Sequence, residues 1–346
     1  MSYRIGIIGC GGISSHRASE SPLFGSNPGT HAMAYSEIPQ CHVVAVSDIV
    51  PANAERFVKT WGDVWSDVHA HTDHKQMLAQ EKLDIVSITT PDSKHADVLI
   101  DTANAGIRGI FCEKPLATTT ADADRMVKAI EDNNVIVNVD HTRRWNPLFH
   151  EARNIIRQGK IGTLQTIVAT LGGQRAMMFR NGTHIIDMVC FMAESNPSWV
   201  FAELEDGYSE YWKYDGDGGY DPKTEPSVSG YIHFENGVRA FYNCDKLIPS
   251  MSDWELTGSN GRICVNDTRL ELWTLENGSL SSRIVNSPFY RFTGMECAIR
   301  EIIHCIETGE KTISDAKEAA KTVEIMIGML ESQRLGNARV NLPLKR

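Results

Sequence analysis

Gly9-Cys10-Gly11-Gly12-Ile13-Ser14 is the first stretch of the chain where residue type and spacing can do chemistry. It directly follows the apolar run Ile5–Ile8. A glycine at 9 permits a tight turn, and one at 11 lets the backbone approach a pyrophosphate whose charge faces a helix N-terminus. Gly12 and Ile13 then open that helix. The motif's third position holds Ser14 in place of Gly or Ala, and Gly/Ser/Pro-rich sequence follows to about Gly29. The helical pattern resumes near His31, so residues 15–30 read as an insertion beside the phosphates, either a surface loop or a flap over the cofactor. Asp48, after the second β-type run, adds a carboxylate that can accept hydrogen bonds from ribose hydroxyls and repel a 2′-phosphate. Ile49-Val50-Pro51 follows with no adjoining cation, which favours NAD over NADP.

These residues need elements to hold them. Ile5–Ile8, Val43–Ser47, Ile85–Thr89, Gly109–Cys112 and Val135–Val139 are short, mostly β-branched runs, as expected of strands covered on both faces. Helical patterns lie between them. Ala123, Met126, Val127 and Ile130 repeat at helical spacing behind the capping threonines 118–120, and Gly106 stops the helix that begins near His95. Alternating strand and helix predicts a doubly wound parallel sheet. After about residue 145 the texture changes. Asn236-Gly237, Asn260-Gly261 and Asn277-Gly278 each separate apolar runs and can supply the positive φ of a hairpin turn. This part reads as an α+β domain with an open, mostly antiparallel sheet, closed by helices near 295–308 and 315–335. The expected division is 1–140 for the dinucleotide domain and 141–346 for a substrate-binding and oligomerisation domain.

Composition narrows the class. The chain has 346 residues, 42% hydrophobic and 23% charged, with a formal charge of −10. Its length favours two cores, and its charge repels nucleic acid and anionic membranes. Eight cysteines lack zinc spacing, so no metal site is expected, and they read as reduced thiols of a cytoplasmic protein. No apolar run approaches the roughly 20 residues that span a bilayer.

Further runs carry a family resemblance: Thr90-Pro91-Asp92-Ser93-Lys94-His95, Glu113-Lys114-Pro115, His141-Thr142-Arg143-Arg144-Trp145-Asn146-Pro147, Gly159-Lys160-Ile161-Gly162, Gly182-Thr183-His184-Ile185-Ile186-Asp187 and Asn341-Leu342-Pro343-Leu344. Together, in this order, they resemble the glucose–fructose oxidoreductase/inositol dehydrogenase/MocA family. The resemblance implies a Rossmann domain in which Thr90, Pro91, His95, Glu113 and Lys114 join the glycines at the NAD site. It implies a dehydrogenase acting on a secondary hydroxyl of a sugar, inositol or sugar acid, and assembly as a homodimer or homotetramer. Lys114 would stabilise the alkoxide formed as hydride leaves. His184 would exchange the hydroxyl proton, since imidazole titrates near neutrality. Asp187, one helical turn on, could orient that ring or touch substrate. Of Arg143 and Arg144, one reaches nicotinamide or substrate and the other forms a structural ion pair. Many members carry an aspartate four residues before the histidine, where this chain has Arg180. Another carboxylate then substitutes, or Arg180 binds an acidic substrate, or the chemistry is altered. The last option includes NAD-recycling elimination or hydrolysis of a glycoside; a non-catalytic NAD sensor is the remaining alternative. The aromatic and acidic stretch 206–226 reads as a sugar-stacking loop, an ordered loop or an oligomer contact.

Overall fold

The computed structural model describes residues 2–17, 28–217, 219–276, 278–286 and 292–346. Much of the expected insertion, residues 18–27, lies outside the described residues. The chain divides into two compact units. The first is 1–142 with 292–317, and the second is 143–291 with 318–346. A single cut near 140 therefore misses a returning segment.

In the first unit, strands β1 (Tyr3–Ile8), β2 (Cys41–Ser47), β3 (His69–His71), β4 (Ile85–Ile88), β5 (Gly109–Cys112) and β6 (Ile136–Val139) form one sheet. Its order is β3-β2-β1-β4-β5-β6, and every pair is parallel. Ile5, Ile7, Ile85, Val86 and Ile110 are fully buried, as strands covered on both faces require. Helices α1 (Gly12–Ser15), α2 (His31–Ser36), α3 (Pro51–Trp61), α4 (His74–Gln80), α5 (His95–Asn104) and α6 (Thr120–Asn133) connect them. Thr119 caps α6 by accepting the Asp122 N–H, and Gly106 follows α5 at φ +78°. Thr30 Oγ1 donates to the His16 carbonyl at 2.9 Å, so the ends of the interruption between α1 and α2 meet. The short polar strand β3 has no apolar signature and was invisible in the sequence.

The returning segment packs on β5 and β6 through α9 (Gly294–Thr308). A Cβ at Gly109 would lie 2.6 Å from Ile302 Cγ2, so glycine allows that close approach. Asn138 Nδ2 donates to the Ala298 carbonyl and to Glu301, at 2.9 and 3.0 Å.

The second unit is built on nine strands in the order β14-β13-β12-β11-β7-β10-β9-β8-β15. In chain order these are β7 (Leu164–Gly172), β8 (Pro197–Leu204), β9 (Val228–Phe234), β10 (Arg239–Asp245), β11 (Met251–Gly258), β12 (Gly261–Asn266), β13 (Leu270–Glu276), β14 (Ser279–Ile284) and β15 (Val340–Asn341). Within this sheet, only β7 and β10 pair in parallel among the described strands. Helix α8 (Gly182–Ala193) packs on β7 and β10, α7 (Pro147–Arg157) packs on β12, and most of α10 (Ala316–Arg334) belongs to this unit. Gly237 turns the β9–β10 hairpin at φ +88°, as expected. The turn at 259–260 differs. Gly261 pairs with Gly258 inside the ladder, so Ser259-Asn260 makes the turn. Glycine is needed at 261 because a Cβ would stand 2.3 Å from the Trp273 carbonyl oxygen. Trp199, Phe201, Tyr231 and Phe241 form an aromatic ladder across β8, β9 and β10, with Phe201 42% and Phe241 44% exposed. No helix among the described residues is long and apolar enough to cross a membrane.

Candidate active site

Gly9, Asp48, Thr89-Thr90, Glu113 and Asp140 all stand at the carboxyl ends of first-unit strands, where open α/β sheets bind ligands. Gly9 has φ +96°, and a Cβ there would sit 2.7 Å from the Thr89 carbonyl. Only glycine lets the turn after β1 press against the end of β4. Gly11 is the opposite case, since a Cβ there meets nothing within 4 Å. Its backbone faces open space at the start of α1, with Gly12 and Ile13 beside it, and that cradle fits a pyrophosphate. Ser14, the departure from the motif, is fully buried and donates to the Gly11 carbonyl at 2.7 Å.

Asp48 accepts the Cys10 N–H at 2.7 Å and the Val50 N–H at 2.9 Å, bracing the glycine turn. Asp48 also accepts from Asn53 Nδ2 at 3.2 Å, and a carboxylate has about four acceptor positions, so one remains for a ribose hydroxyl. The sequence reading missed Arg56, whose Nη2 donates to Asn53 Oδ1 at 3.0 Å and reaches the Cys10 carbonyl at 3.4 Å. Its distance in the sequence hid it.

At the next loops the side chains of two expected cofactor contacts turn inward. His95 is fully buried, with its ring nitrogens 2.9 and 3.0 Å from the carbonyl oxygens of Pro115 and Thr90. It ties the Thr90-Pro91 loop to the Lys114-Pro115 loop and positions both. Glu113 is also buried. It faces His31 Nε2 at 3.3 Å and accepts the Lys114 N–H at 3.2 Å. His31 is anchored in turn by Ser87 at 2.9 Å, and Ser87 by the Tyr35 hydroxyl at 2.8 Å.

Asp140, which the sequence reading did not single out, completes this cluster. Burial first, then the charge and hydrogen bond of Glu113, push its carboxyl well above the usual carboxylate range, with Lys114 partly opposing. Burial would also raise Glu113, but the His31 hydrogen bond, the Lys114 and His31 charges and the Asp140 hydrogen bond hold it at about 2. The pair therefore holds one proton, on Asp140, and one negative charge, on Glu113, directly behind Lys114. Ligand atoms of His31, Glu113 and Asp140 lie within 4.8 Å of one another, a spacing that could also hold a metal ion. A position directly after a β-type run was the available signal for Asp140.

The second unit carries an open cavity of about 620 Å³ whose wall includes His184, Asn181, Arg143, Gln174, Arg175 and Ser252. His184 stands in the first turn of α8, its N–H bonded to the Asn181 carbonyl at 3.1 Å. Arg143 grips Asp267 with two 2.8 Å bonds. Arg144 is the structural partner of the two, 1% exposed and bonded to Asp187 at 2.8–3.1 Å. Asp187 is therefore engaged inside the protein by Arg144. Burial dictates this, because an ionised carboxylate at that depth requires a charged partner. Glu225 accepts the backbone N–H groups of Phe179 and Arg180, and Tyr214 stacks on Phe179 at 4.1 Å. The 206–226 stretch thus buttresses the segment leading into α8, and the Arg180 guanidinium lies 5.0 Å from the Tyr220 ring.

A glycine turn at the switch point of a six-strand parallel sheet, joined to an open nine-strand sheet, defines a dinucleotide-dependent oxidoreductase. Residues 3–141 match the model of an oxidoreductase family with an NAD-binding Rossmann fold, and residues 149–264 match the GFO/IDH/MocA C-terminal domain. The chain belongs to the Gfo/Idh/MocA family and is an NAD(P)-dependent oxidoreductase. It is 27% identical to an inositol 2-dehydrogenase of Rhizobium meliloti over 326 residues, 90% of each chain. It is 24% identical to a scyllo-inositol 2-dehydrogenase (NAD(+)) of Bacillus subtilis over 327 residues, 90% of this chain and 92% of that one. A levoglucosan dehydrogenase solved with NADH and levoglucosan shares the fold, with a TM-score of 0.80, 18% identity and complete coverage of both chains.

The Asp140–Glu113 pair has a measurable pH signature. Native Asp140 keeps its proton above the pH at which the unfolded chain, near 3.9, has released it, so its contribution to stability falls as pH rises. Glu113 acts oppositely, contributing above pH 4.5 and losing that contribution as pH falls towards about 2. Asp140→Asn keeps a donor and removes the titration. Urea unfolding should find the variant close to wild type near pH 4 and more stable by at least about 1 kcal/mol at pH 8. A variant less stable than wild type at pH 8 would mean that Asp140 is ionised in the native state.

Proposed function

We propose that the chain is an NAD-dependent dehydrogenase that moves hydride between the nicotinamide and a secondary hydroxyl or ketone of a sugar, inositol or sugar-acid derivative. Lys114 carries this reading: its backbone is anchored at the end of β5 by an ionised, buried Glu113. An ammonium presented beside that negative charge can hold a developing alkoxide. Bound NAD supplies the hydride acceptor, cradled by Gly9, Gly11, Gly12, Ile13, Thr90 and Pro91. His184 takes the hydroxyl proton in oxidation and returns it in reduction. The polar wall around His184 suits a hydroxylated substrate, as do the activities named for the inositol and levoglucosan dehydrogenases. The eight cysteines are unpaired, and we place the chain in the cytoplasm on that basis.

Lys114→Ala should lower kcat by about 10²–10³-fold, as loss of an oxyanion donor does. His184→Ala should lower it by about 10²–10⁴-fold. Steady-state rates on folded variants check both, and near-wild-type turnover in either would remove that residue from the reaction.

We also propose NAD over NADP. Asp48, directly after β2, would accept the ribose hydroxyls, and Arg56 is engaged with Asn53 and Cys10. Discrimination should reach at least tenfold in kcat/KM, about 1.4 kcal/mol, and Asp48→Ser should erode it. Equal use of both cofactors by the wild type would contradict the assignment.

The half-exposed aromatic ladder on the nine-strand sheet supports a homodimer or homotetramer joined through that face. Light scattering should show an oligomer at micromolar concentration and a smaller species for Phe241→Glu. A monomeric wild type would rule the arrangement out.

A further inference from the structure

We infer that the Arg143–Asp267 ion pair is a hydroxyl-reading subsite of the cavity beside His184, where it holds two neighbouring hydroxyls of a polyol. This rests on the dehydrogenase reading and names how that substrate is selected. The residues involved all belong to the second unit. Arg143 and Arg144 each make a two-point pair with an aspartate, and the two pairs differ in what they can touch. Arg144 and Asp187 keep 2% and 1% of their side chains exposed, so that pair is closed to any ligand. Arg143 and Asp267 keep 22% and 44% exposed, and both line the cavity. Among the described residues of that wall, Asp267 is the one carboxylate.

An exposed ion pair is ordinarily loose and worth little. This one is fastened from several sides. Arg143 Nε and Nη2 donate to the two carboxylate oxygens at 2.8 Å each. Ser252 on β11 accepts from Arg143 Nη2 and donates to Asp267 Oδ2, both at 3.3 Å. Asn146, the N-cap of α7, donates from Nδ2 to the Asp267 carbonyl at 3.0 Å. The guanidinium also lies 5.6 Å from the centre of the Trp254 ring. Side chains held in this way lose little further freedom when a ligand arrives.

The pair also keeps binding capacity. Of the five N–H groups of a guanidinium, Nε and Nη2 use theirs on Asp267 and Ser252, which leaves those of Nη1. Of about four acceptor positions on a carboxylate, Arg143 and Ser252 fill three, which leaves one. One hydroxyl can therefore accept from Nη1 while its neighbour donates to Asp267, and the charge on each partner strengthens both bonds. Removing either hydroxyl leaves one member of the pair desolvated and unmatched, which is how a site built for hydroxyls rejects a deoxy analogue.

The test sets inositols and aldohexoses against their monodeoxy counterparts. Affinity is read by calorimetry on the NADH-loaded protein, where oxidation of an alcohol cannot proceed, and turnover by NADH formation from NAD. For the best-bound polyol, removing a hydroxyl from at least one carbon should weaken wild-type binding by about tenfold or more. Asp267→Asn and Arg143→Gln should each bring that ratio towards one, because the parent polyol loses affinity and the deoxy compound does not. Arg143→Lys should give an intermediate ratio, since a point charge cannot grip the carboxylate as the planar fork does. A pair with only a structural role would lower the melting temperature of these variants and leave the ratio as it was. That result would overturn the inference, as would a wild type indifferent to deoxygenation at every carbon, or no binding by any of these polyols. Hydride transfer with a ratio insensitive to Asp267 would end the inference and leave the dehydrogenase reading in place. Polyols that bind through Asp267 but pass hydride from no carbon would keep the subsite and remove the dehydrogenase reading.

Discussion

A charge taken out of water must be met by a partner, and in this chain that requirement decides which charged residues can do chemistry. Asp187 sits in the motif that carries His184, and at its depth it pairs with Arg144. Glu113 sits in the motif that carries Lys114, yet it is consumed by His31, by the Lys114 backbone and by a proton on Asp140. The motifs mix residues that act with residues that hold them in place. Burial separates the two kinds.

The same compensation links fold to function. The parallel sheet delivers Gly9, Asp48, Thr90, Lys114 and Asp140 to one edge, because every strand of the first unit ends there. His95 fastens two of the loops, and Glu113 fastens the lysine backbone, so the cation is presented from a rigid support. In the second unit, α8 is buried almost all round and offers His184 from its first turn, while Glu225 and Tyr214 brace the approach. A catalytic group on a braced element loses little freedom on binding, which is where enzymes gain rate.

Sequence reading reached the architecture because its signals are local. β-branched runs, a threonine cap at 119 and positive-φ glycines at 106 and 237 each act within a few residues. It did not reach the return of α9 onto β5, which depends on Gly109 meeting Ile302 nearly two hundred positions away. At the site, the glycines, Asp48, Lys114 and His184 were legible as motif positions. Asp140, Arg56, Asp267 and the inward turns of His95 and Asp187 were not, because partners far along the chain set each one. Ser259-Asn260 shows the limit on a small scale: Asn-Gly was the correct hairpin signal, but the turn fell one residue earlier because Gly261 was needed inside the ladder.

The central claim is hydride transfer from a carbinol carbon, and isotope tracing tests it most directly. The purified chain would be given NAD with inositols, sugars and sugar acids deuterated at their carbinol carbons, and the nicotinamide read by mass spectrometry. The account predicts one deuterium on the reduced nicotinamide with at least one of these substrates, and none after Lys114→Ala in the same interval. A nicotinamide that stays free of deuterium across the whole set, with the protein folded and NAD bound, would contradict it.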